Sequence, residues 1–182
     1  MHTALASRTV RLLIGLAVVV AVKGAQTDAC ALLSSEAIHR AIGEQVTNTK
    51  ATSETRGSVR QSQCFYTLPT FTNSISVTLT SPSGLRRDAA RELWERRFHR
   101  EEGEKGKDKD RSKRESEEEE AESAAHLAGV GDEAFWVHSF VGNLYVRKGN
   151  RFLRISLGGK TNDDERQAKA KALAADALRR LR

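Results

Sequence analysis

Three observations predict an α+β fold, an antiparallel sheet of about five or six strands with helices packed on one face. Ser74 to Thr80 (SISVTLT) alternates strictly, with Ile75, Val77 and Leu79 on one side and Ser76, Thr78 and Thr80 on the other. Such a period of two marks a half-buried antiparallel strand. Three more β-rich runs follow one another late in the chain, and neighbouring strands in succession favour antiparallel pairing. Three separate segments carry apolar residues at helical spacing.

The first helix is expected over Leu32 to Ile42, with Leu33, Ala37, Ile38, Ala41 and Ile42 as its apolar face. Asp28 or Ser34 can cap its start, and Gly43 follows its end. Residues 45–60 are rich in Thr, Ser, Gln and Asn and read as a polar connection with at most one weak strand. Gln63 to Leu68 is a strand stopped by Pro69. A second helix is expected from near Leu85 to His99, with a stripe of Leu85, Ala89, Ala90, Leu93, Trp94 and Phe98. Ala134 to Val137, Asn143 to Arg147 and Phe152 to Leu157 are the late strands, and Gly149-Asn150 is a hairpin signal. Asn162 opens the last helix, with Glu165 three residues on in a capping-box arrangement. Ala168, Ala172, Leu173, Ala177, Leu178 and Leu181 are its expected buried face.

Two segments stand outside this pattern. At the N-terminus, Arg8 and Arg11 precede the apolar run Leu12 to Val22, and Gly24 and Ala25 follow. A basic start, a short apolar run and a small-residue exit form a secretory signal peptide. The run is too short for a membrane span, which needs roughly 20 residues. Residues 1–24 are therefore expected to be removed after Gly24, leaving one domain over 25–182 in the periplasm or secreted. Membrane contact is then confined to the signal peptide before cleavage. Lipid attachment is the lesser alternative, because Cys30 lies beyond the cleavage point with Thr27, Asp28 and Ala29 before it. The second segment, Arg100 to Glu122, has no apolar residue larger than Ala and cannot cover a core. It is expected to be a solvated, flexible insertion. Its acidic run Glu117 to Glu120 lacks the ligand and glycine pattern of a calcium loop.

Charge narrows the partners. The chain carries a formal +6, but Arg8, Arg11 and Lys23 leave with the signal, and the remaining charges of both signs are interspersed. Nucleic acid is not the expected partner, because a binder shows a basic stripe or patch. Cys30 and Cys64 are the only cysteines, and an even pair in an oxidising compartment forms a disulfide. Closing that loop is worth roughly 3–4 kcal/mol in the chain-entropy model.

No catalytic, metal or cofactor motif is present. His39, His99, His126 and His138 show no metal-binding spacing. His126, Asp132, Glu133 and His138 lie near one another in sequence, but Gly129 to Glu133 reads as a turn entering a strand. Asp132 and Glu133 as strand neighbours should face opposite ways. Neither a Gly-x-Ser-x-Gly elbow nor a Gly-x-x-x-x-Gly-Lys loop occurs. The aromatics Phe135, Trp136, Tyr145 and Phe152, with Phe140, gather on the late strands. They are either core or the wall of a ligand groove.

Asp28-Ala29-Cys30-Ala31-Leu32-Leu33, Cys64-Phe65-Tyr66, the block Gly129 to Trp136 and the strand and turn Leu144 to Asn150 together resemble exported bacterial proteins of unknown function, including small actinobacterial envelope lipoproteins. The resemblance implies an envelope or secreted α+β domain with a Cys30–Cys64 bridge, and supplies no catalytic residue. The chain departs from it in lacking the lipoprotein cysteine and in carrying the insertion at 100–122. The expected function is a non-enzymatic binding module, without cofactor, for a small apolar ligand or a protein partner of the envelope. An envelope-associated structural protein and a hydrolase using Asp132 or Glu133 are the alternatives.

Overall fold

The computed structural model describes residues 27–99 and 124–181. The signal peptide and the charged insertion expected from sequence both lie outside the described residues. The fold class is α+β, built on one antiparallel sheet. The sheet has seven strands rather than five or six, in the order β1-β2-β3-β7-β6-β5-β4. These are β1 (Asn48–Arg56), β2 (Val59–Thr67), β3 (Ile75–Pro82), β4 (Ala124–His126), β5 (Glu133–Val137), β6 (Gly142–Lys148) and β7 (Arg151–Leu157). Two meanders, β1-β2-β3 and β4-β5-β6-β7, meet where β3 pairs with β7. The helices are α1 (Ser35–Ile42), α2 (Ala89–Phe98) and α3 (Asp163–Arg180).

The helices occupy both faces, not one. On the first face α1 and α3 cover a core of Ile75, Val77, Leu79, Trp136, Leu144, Val146, Leu153 and Ile155, all buried. On the second face lies α2, whose Ala90 and Trp94 pack on Phe135, Val137, Tyr145 and Phe152. Strand alternation explains the split: on a strand whose one set of alternate residues faces the first core, the other set is turned to the second face.

Local signals are used as the sequence suggests. Asp28 and Ser34 both cap: the first accepts from the Cys30 N–H of a short 3-10 turn, the second from the Ala37 N–H of α1. The two-residue β6–β7 loop has Gly149 at φ +61° and no positive φ at Asn150, the pattern of a type II′ turn. Asn162 Oδ1 accepts from Glu165 N–H at 2.8 Å. The helix it caps buries Ala170, Leu173, Ala174, Ala177 and Leu181, while Ala168 and Ala172 are exposed. α2 begins four residues later than expected, and Leu85 stands fully exposed in the turn before it.

Cys30 and Cys64 are bridged, with Cα atoms 5.0 Å apart. The bridge ties the N-terminal turn to β2, where Ser62 Oγ also accepts from Ala29 N–H at 2.9 Å. Beside it the Tyr66 hydroxyl reaches the carbonyls of Cys30 and Leu33 at 3.3 and 3.4 Å. Burial pushes that phenol up to about 12. A buried disulfide is consistent with an oxidising, exported environment. Among the described residues, no helix is long and apolar enough to cross a membrane.

Candidate functional site

The four aromatics of the expected groove do not share a surface. Trp136 turns to the first face, fully buried, and Gly142 lies so close against its indole that a Cβ there would meet the ring. Phe135, Tyr145 and Phe152 are brought together on the second face, where α2 closes over them. Phe98 stacks on Phe135 at 4.4 Å between centroids, and Trp94 lies 5.6 Å from Phe152. Phe140 is 97% exposed in the β5–β6 loop, away from both cores.

Four of the titratable residues singled out in the sequence, His99, Asp132, Glu133 and His138, fall into two clusters, and His39 and His126 lie in neither. Glu133 Oε2 accepts from the Trp94 indole at 2.6 Å and from Arg147 Nε at 3.4 Å, and Oε1 lies 2.8 Å from His99 Nε2. Burial alone would raise this carboxyl, but the Trp94 N–H, His99 and Arg147 outweigh it and hold it below its ordinary value of 4.5. Asp132 and Glu133 converge after all, both reaching the Arg147 guanidinium at about 3.5 Å. Asp132 precedes the strand, after Gly131 at φ +64°, so strand alternation does not govern it. It also accepts from Gly149 N–H at 2.6 Å. His138 Nδ1 lies 2.6 Å from Asp163 Oδ2, which also takes the Trp136 indole N–H at 2.9 Å. His126 packs edge-on against Phe135, and among the described residues no three His, Cys, Asp or Glu converge as metal ligands. Glu133 and Asp163 thus each meet an indole N–H and an imidazole, which fastens a helix to the sheet.

A third feature carries no sequence signal. α2 covers only part of the second face. The rows beyond it follow from the register: Gln63, Thr78 and Arg154 in one, Phe65, Ser76, Ser156 and Asn143 in the next. All seven are half-buried. Gln63 Nε2 donates to Ser76 Oγ at 2.8 Å, and Ser156 Oγ donates to Asn143 Oδ1 at 2.6 Å. The Thr78 hydroxyl is buried without a hydrogen-bond partner, and beside it Arg154 has no ion pair among the described residues. No acidic residue occupies either row, from Thr52 and Lys50 on β1 to His126 and Ala124 on β4. Phe65 and the exposed Phe71, 6.4 Å apart, edge the surface. An arginine amid neutral donors and acceptors on a partly dry sheet can take a carboxylate in its fork. Comparison of the chain with family models, curated proteins and solved structures gives no match.

Proposed function

We propose that this protein is an exported, non-enzymatic binding module of the periplasm or the secreted space. Its partner is an acidic segment of another protein, seated on the open part of the second face. One observation carries the reading: Arg154 lies at the centre of a half-buried polar surface with no carboxylate beside it among the described residues, next to an unsatisfied Thr78 hydroxyl. Buried polar groups left without partners are exceptions that ask for one.

The test is calorimetric titration of the purified protein with a capped tetraglutamate peptide, and with tetralysine as control. Binding of the acidic peptide alone, weakened by salt and lost in Arg154→Ala, is the expected result. Equal binding by Arg154→Ala, or none by the native protein, would reject this surface. A small apolar ligand is the second reading, favoured by the convergence of Phe135, Tyr145 and Phe152 beneath α2. It requires α2 to move. Native mass spectrometry of protein taken from its host would then detect an adduct that vanishes on denaturation.

A further inference from the structure

The two edges of the sheet are unequal. β4 at one edge has three described residues, whereas β1 at the other has nine, every one of them exposed. Nine consecutive residues of β1 pair with β2 in unbroken register, so no bulge twists the edge away. It also contains no proline. Proteins ordinarily blunt such an edge, because its outward N–H and C=O groups form a template for another strand.

The sequence of β1, Asn48-Thr-Lys-Ala-Thr-Ser-Glu-Thr-Arg56, says which strand fits. Laid antiparallel on a second copy with Thr52 on the two-fold axis, Lys50 faces the copy's Glu54, and Glu54 faces the copy's Lys50. Thr49 then faces Thr55, Ala51 faces Ser53, and Thr52 faces itself. Both charged pairs fall on the same face, since residues 50 and 54 are an even number apart. Opposite charges and Thr–Thr pairs are favourable cross-strand neighbours. Within its own chain Lys50 is paired with Phe65 and Glu54 with Gln61, so neither meets an opposite charge across β2. Among the described residues Glu54 bonds sideways, to Arg56 at 3.1 Å.

We propose that β1 is a dimerisation edge, joining two copies into one continuous antiparallel sheet. The contact is isologous, as a two-fold interface requires. It supplies about eight to ten main-chain hydrogen bonds. The edge adjoins the Arg154 face, whose two rows end on Thr52 and Lys50, so the dimer is read by sedimentation and not by peptide binding, and the variants below leave Arg154 in place.

Sedimentation velocity across a concentration series tests it, on protein purified from its host. The native protein should show a monomer–dimer equilibrium. Lys50→Glu or Glu54→Lys places like charges in both pairs and should weaken the dimer about tenfold. The double variant Lys50→Glu with Glu54→Lys should recover it. Thr52→Cys should cross-link to its own copy under mild oxidation, and Asn48→Cys should not. Circular dichroism checks that each variant folds. A monomer at every concentration, a dimer indifferent to charge reversal, or a double variant that does not recover would each overturn the proposal.

Discussion

On the first face of the sheet Trp136 gives its indole N–H to Asp163, and His138 lies against the same carboxylate. On the second face Trp94 gives its N–H to Glu133, with His99 against that one. The same three groups fasten a helix in both places, yet the surroundings differ. The first trio closes a core that runs from Cys64 across the sheet to Leu181, braced by the disulfide. The second holds α2 over a smaller aromatic patch and, among the described residues, leaves half-buried polar rows beside it. The lesson is that a fastening does not make a face structural. Among the described residues, what the helix covers decides which face is closed and which keeps an unsatisfied hydroxyl at Thr78.

The largest test of this contrast compares two fully buried indoles. Trp136→Ala should cost about 4–5 kcal/mol in urea unfolding, and Trp94→Ala about 3 kcal/mol. Hydrogen exchange should separate them further: Trp94→Ala should speed exchange in α2 while β3 and β7 stay protected. If both variants loosen the whole sheet alike, the two faces are one cooperative unit and the contrast fails.

Next in size is the bridge. Replacing Cys30 and Cys64 by Ser should lower stability by roughly 3–4 kcal/mol. The loss should register on the first face, where the bridge, Ser62 and Tyr66 hold the N-terminal turn. An unchanged midpoint would show that the turn is held without it.

The smallest effect belongs to the second trio. Glu133 has a folded-state pKa below its ordinary 4.5, so its contribution is present above that value and lost as pH falls through the lowered one. Glu133→Gln should therefore cost about 1 kcal/mol at neutral pH. The gap to the native protein should close in acid. A gap that persists at pH 2 would assign the effect to the altered hydrogen bond and not to the charge.

Much of this architecture is written in local pattern. Ile75, Val77 and Leu79 alternate because one side of β3 is core, and that alternation is visible in the chain alone. β1 escaped notice as a full strand because all nine of its residues are exposed, so burial imprints no alternation on it. The three described residues of β4 are too few to show a period. Of the site, the aromatics were legible as a group, but their division was not. Arg154 gave no sign at all, since an arginine between Leu153 and Ile155 reads as an ordinary outward residue.

The sequence by itself determined the class of fold, the caps at Asp28, Ser34 and Asn162, the Gly149 turn and the pairing of its only two cysteines. Each depends on residues a few positions apart, or on there being one choice. Only the tertiary structure decided that α2 crosses to the second face, that Asp132 and Glu133 meet on Arg147, and which rows α2 leaves beside it. An apolar stripe of Ala90 and Trp94 fits either side of a sheet whose strands are apolar on both. The choice is made by contacts between segments far apart in the chain, and no local period encodes them.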